Sequence, residues 1–149
     1  MTDDFRPRRL AAFFRIYGWL SLGLFSVLTI AFIVRPASWE AGGRWHWLVW
    51  GPMHDPVPPM LLAVYVVWSW YLLRAAQDVG AHRLFLEFTA WANLAHGVIM
   101  IPHALAAPEY SVKFLTDIPF VFLPAIAWIA WRPSPRSTGS GDNNHTGGR

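Results

Sequence analysis

The sequence contains no cysteine, which removes disulfides, thiolate nucleophiles, cysteine-held zinc and iron-sulfur clusters. Charge is scarce too. Asp, Glu, Lys and Arg make up 14% of the chain, whereas a soluble domain carries about a quarter. A nucleophile elbow, a phosphate loop, a His-Glu-x-x-His helix and a dinucleotide fingerprint are also missing, so the residues give no support to an enzyme. No repeat relates the two halves, which argues against an inverted-repeat transporter.

Hydrophobic residues reach 54% of the 149 positions, with ten Trp and ten Phe. The length suits one domain, and aromatics at that density suit a bilayer, where Trp and Tyr gather at headgroup level. The net charge of +3 and pI near 9.8 could suggest nucleic acid. The basic residues lie beside apolar runs, however, with no aromatic-basic face, so a membrane surface is the better partner and nucleic acid is not expected.

Four apolar runs follow along the chain. Ile16 to Val34 holds 19 residues without a charge, close to the roughly 20 that a helix needs to cross about 30 Å of hydrocarbon. It exceeds a signal-peptide h-region and is followed by no small-x-small cleavage site, so it is expected to stay as an uncleaved span. Arg35 to Pro59 reads as a loop, broken by Pro and Gly, whose Trp45, His46, Trp47 and Trp50 suit the headgroup region. Met60 to Leu73 is short, but Pro58 and Pro59 can occupy its first turn, where a missing N–H costs little. Leu84 to Leu105 and Ile118 to Trp131 supply the last two runs, with Asp117 placed to cap the fourth helix.

The expected fold is therefore all-α, an integral-membrane four-helix bundle over residues 1–133. Its spans lie at about 13–34, 57–74, 84–105 and 117–132, and residues 134–149 form a disordered tail. With four crossings, Arg6, Arg8, Arg9, Arg15, Arg74, Arg83, Arg132, Arg136 and Arg149 share one side. Only Arg35, Arg44 and Lys113 face the other. Nine against three places both termini in the cytoplasm and the chain in a cytoplasmic membrane.

The third span carries the most informative pattern. Thr89, Asn93, His96, Met100 and His103 recur at spacings of four, three, four and three, which makes one helical stripe. Polar groups in hydrocarbon turn toward the bundle, so the stripe reads first as a seam of interhelical hydrogen bonds. A ligand or proton role is the alternative. Near the outer end, His103 joins His46, His54, Asp55, Glu109 and Asp117, but no two of these histidines have a helical ligand spacing, and no metal is expected. Bis-His haem ligation between two helices of one copy is unavailable because the other spans carry no histidine, which leaves His103 with a loop histidine or His96 from two copies, and no cofactor is expected. Glu87 is one turn from Arg83, and an ion pair with Arg83 or Arg74 is the plain account of it.

Tyr65 through Arg74, Ala81-His82-Arg83, Phe88-Thr89-Ala90-Trp91, His96-Gly97, Met100 and Asp117-Ile118-Pro119 give residues 60–133 a recognisable pattern. The stretch resembles a family of small bacterial four-span membrane proteins of unknown function. The chain departs from it at Thr116, where a Gly usually precedes the Asp, and at Tyr110, where a His is frequent nearby. The resemblance implies the four-helix architecture and a bacterial source, and brings no activity with it.

Function is accordingly expected to be that of a non-enzymatic membrane component or accessory subunit. Its partners would be the bilayer and another membrane protein or a second copy. Binding of a small ligand, metal or haem through His96, His103 and the outer loop is the second expectation. Proton-coupled transport by an oligomer using Glu87, Asn93 and His96 is the third.

Overall fold

The structure is a computed structural model and describes residues 5–132; the tail expected over 134–149 lies outside them. The described residues form four α-helices and no strand: α1 (Phe5–Val34), α2 (Val57–Ala75), α3 (Arg83–Ala106) and α4 (Asp117–Trp131). Short 3₁₀ turns occupy Ala37–Trp39, His46–Leu48 and Pro108–Phe114. All four helical segments are long and apolar enough to cross a membrane, the fourth when the preceding 3₁₀ turn is counted with it.

Local chemistry sets the helix ends. α1 begins at Phe5, so its arginines belong to the helix and do not lead into it. It stops where Arg35 takes a left-handed φ of 53° and donates its N–H to Ala31 O at 2.8 Å, with Pro36 unable to continue. α2 opens on Pro58 and Pro59 in its first turn. The tight link to α3 is organised by Asp78, whose Oδ1 accepts the Ala81 N–H at 2.9 Å.

The helices pair as two hairpins. α1 packs along α2 and α3 along α4, α1 meets α4 more briefly, and the α2 and α3 backbones stand apart, joined where Trp68 reaches Thr89 and Tyr65 meets His96. At the end that carries the first and last described residues, all four helices share one core of Leu10, Phe14, Leu72, Leu86, Ala90 and Trp128. At the opposite end the core splits. Ala31 and Phe32 of α1 pack on Val49 and Met53 of the loop, while Met100 and Ala104 of α3 pack on Ile118 and Val121 of α4. Gly97 permits this second contact, since a Cβ there would lie 2.9 Å from both the Phe122 ring and the Val121 methyl. A wedge of space is left between the hairpins.

The exterior is apolar, with Ile33, Met60, Leu84 and Leu105 among the exposed side chains, whereas Ser21, Ser69 and Thr89 are fully buried. A water-soluble bundle would place its largest aliphatic groups the other way round.

Candidate binding site

The wedge encloses a cavity of about 640 Å³ in the half of the bundle where the core is divided. Leu24, Phe25 and Leu28 of α1 and Leu61 and Tyr65 of α2 form one wall. Asn93, His96, Ile99, Met100 and His103 of α3, with Phe120 and Val121 of α4, form the other. Trp47 to Trp50 and Asp55 of the first loop, with Thr116 and Asp117, lie at the outer end.

Four members of the α3 stripe line the cavity, although His96 also meets the Tyr65 ring of α2 and Met100 packs on Ile118 and Val121 of α4. Thr89 differs: it is fully buried below the cavity and accepts the Trp68 Nε1–H at 3.2 Å. That bond joins α2 to α3 at one of the five stripe positions. Asn93 spends its Nδ2–H on Thr89 O of its own helix at 2.9 Å, which leaves Oδ1 without a partner among the described residues. His96 has ring contact only, its imidazole edge-on to Tyr65 with centroids 6.3 Å apart. Tyr65 is stacked on Phe25 at 4.9 Å, and its hydroxyl has no hydrogen-bond partner among the described residues.

The roof of the cavity is polar and crosses between hairpins. Trp50 Nε1–H donates to Asp117 Oδ2 at 2.7 Å, and Lys113 Nζ donates to the same oxygen at 2.8 Å. The Lys113 ammonium also lies 5.2 Å from the Trp50 ring centroid. Trp50 stacks on Tyr110 at 4.8 Å, and Tyr110 accepts the Gly51 N–H at 3.2 Å. Asp117 thus does not act as a side-chain cap: the N-cap of α4 is Thr116, without a side-chain cap bond, and the carboxylate is drawn away to Lys113 and Trp50. As the first residue of α4 it still places negative charge at the positive end of the helix dipole.

The other expected groups are scattered. Glu87 is half-buried at the closed end and forms no ion pair with Arg83 or Arg74, whose side chains point outward. His103, Asp55 and Asp117 border the cavity, but His46, His54 and Glu109 do not join them. Among the described residues, no three His, Asp or Glu side chains are grouped to hold a metal ion.

Trp50, Tyr65, Tyr110 and Lys113 gained their roles only from the fold. The i, i+4 spacing of Lys113 and Asp117 is a signal the sequence does carry. Nothing in the sequence links Trp50 to Tyr110 or to Asp117, since the elements between them decide that meeting. No protein-family model, curated protein or solved structure matches the chain.

Proposed function

We propose that the chain is a non-enzymatic, multi-pass protein of the bacterial cytoplasmic membrane that holds a small amphipathic molecule in the cavity between its hairpins. The carrying observation is that Asn93, His96 and His103 line a roomy, mostly apolar space, with Asn93 bonded only to its own helix and His96 in ring contact alone. Ligand sites combine these properties: about 300–1,000 Å³, apolar walls and a few convergent polar groups. The apolar exterior and the nine-to-three segregation of basic residues support insertion with both termini in the cytoplasm. The cavity then lies in the outer half of the bilayer.

The test is mass analysis of the protein drawn from its native membrane in mild detergent. One small amphiphile should accompany it at near-equimolar ratio and be held less well by Ile99→Trp, which adds bulk at the cavity wall. Only bulk lipid, retained equally by Ile99→Trp, would end this reading, and a stoichiometric protein partner would favour an accessory subunit. Reporters at either terminus should be cytoplasmic, and one inserted at Gly42 external. Equal sidedness would remove the topology.

A further inference from the structure

The outside of the closed end carries a graded stripe. Arg9, Phe13, Ile16 and Leu20 of α1 recur at spacings of four, three and four, so they stand in one line along the helix. Arg9 is exposed and Phe13 half-buried, while Ile16 and Leu20 are 63% and 59% exposed. Ile16 opens the uncharged run of the span. Arg9 is therefore about two turns outside that run, at headgroup level.

α4 completes the stripe. Its Trp131 ring lies 6.1 Å from the Phe13 ring, centroid to centroid, at an interplanar angle of 57°, and both rings rest on the shared core. Arg132 follows Trp131 directly and is exposed, its backbone N–H held by Trp128 O at 2.8 Å. Because α1 begins and α4 ends at this end of the bundle, Arg9 and Arg132 both stand on the outer side of the aromatic pair. Neither forms an ion pair with a described residue. From outside inward the order is two guanidiniums, an aromatic shelf and exposed aliphatic side chains, which matches phosphate, glycerol and acyl chain in a phospholipid. A guanidinium grips phosphate through two parallel N–H donors, and basic groups between helices on the cytoplasmic side collect anionic headgroups. A zwitterionic lipid brings its own ammonium and gains less from the two cations.

We infer that Arg9 and Arg132 hold the phosphate of one anionic phospholipid where α1 meets α4, with its glycerol against Phe13 and Trp131 and an acyl chain along Ile16 and Leu20. The occupant is a lipid because the cations continue into an exposed apolar track that a free anion would leave uncovered. The site is at the opposite end from the cavity, and it rests only on that part of the reading above which puts the chain in a membrane.

The test is native mass spectrometry of the full chain in mild detergent, titrated with dioleoyl phosphatidylglycerol and, separately, with dioleoyl phosphatidylcholine. The first phosphatidylglycerol should bind at least about tenfold tighter than the first phosphatidylcholine. Arg9→Gln with Arg132→Gln should remove that preference. Arg74→Gln with Arg83→Gln deletes as much charge from the link between α2 and α3 and should change the preference by less than about twofold at physiological salt, where distant charges are screened. All four positions are exposed, so neither pair should move the thermal midpoint. Arg9→Lys with Arg132→Lys keeps the charge, loses the fork and should weaken phosphatidylglycerol by about threefold. Glycerol 3-phosphate, which has the phosphate without the chains, should not displace the lipid. Equal binding of the two lipids, or binding of neither, would overturn the site. Equal loss from the two glutamine pairs would also overturn it, as diffuse attraction, and displacement by glycerol 3-phosphate would do so as a free-anion site. Ile99→Trp should leave phosphatidylglycerol binding unchanged; a loss there would move the lipid to the cavity and overturn the surface site, whereas the other failures leave the cavity reading untouched.

Discussion

At the closed end of the bundle, Leu10, Leu72, Leu86 and Trp128 bring one residue from each of the four helices into a single core. At the far end the same helices supply two cores, each internal to one hairpin or its loop, with a cavity between them. The difference follows residue size and polarity. The closed end alternates large groups with Ala75, Ala76, Ala90 and Ala127, which let backbones approach. The far end places Asn93, His96 and Tyr65 on facing walls, where close packing would bury unsatisfied polar atoms. A shared core and an open cavity are thus housed at opposite ends of the same four helices.

That division can be broken by substitution. The largest effect is expected at Trp128, which is fully buried: Trp128→Ala should cost about 3–5 kcal/mol, read as thermal unfolding in detergent. Ile99→Ala, in the cavity wall and 61% exposed, should stay within about 0.5 kcal/mol. Equal losses from the two would mean that the far end is packed as tightly as the closed one.

Next comes the roof. Asp117→Asn keeps an acceptor for Trp50 but strands the Lys113 charge, which is 1% exposed. The expected loss is about 2 kcal/mol, below the range for a fully enclosed pair because Asp117 remains 29% exposed. Adding Lys113→Met should restore most of it. Failure of that rescue would show that the ion pair is not what Asp117 contributes.

A smaller effect is expected inside the second hairpin. Gly97→Ala puts a methyl 2.9 Å from Phe122 and Val121, and moving those side chains should cost about 1 kcal/mol. The smallest concerns the boundary between the two regions, where Thr89→Val removes the acceptor of the Trp68 bond. Interhelical bonds of this kind average about 0.6 kcal/mol in membranes. A midpoint unchanged within error would place the boundary of the closed end below Thr89.

Much of this architecture was legible in the sequence because apolar run length is a local property. The runs ending at Val34 and beginning after Pro58 mark elements that the fold contains, as do the spacing of the α3 stripe and its single face. The start of α1 was not legible: arginines read as the flank of a span, yet Arg6 to Arg15 are good helix formers and neighbours, and the helix runs through them. Nor could the stripe disclose what it faces. Spacing reports that Asn93 and His96 share a side, while the splaying of two hairpins decides whether that side meets a helix or a void. Lys113 and Asp117 were readable as a pair, but the Trp50 indole that joins them comes from 67 residues away.

The shared core at the closed end also makes each hairpin a lever. From Leu72 in that core to Val57 at its tip, α2 is an arm of about 22 Å, so each degree of rotation at the pivot displaces the tip by about 0.4 Å. A side chain at the pivot that yields by a few tenths of an ångström is therefore felt several-fold larger at the mouth. The width of the space between the hairpins is set at a distance, by how rigidly Trp128 and its neighbours hold the fulcrum.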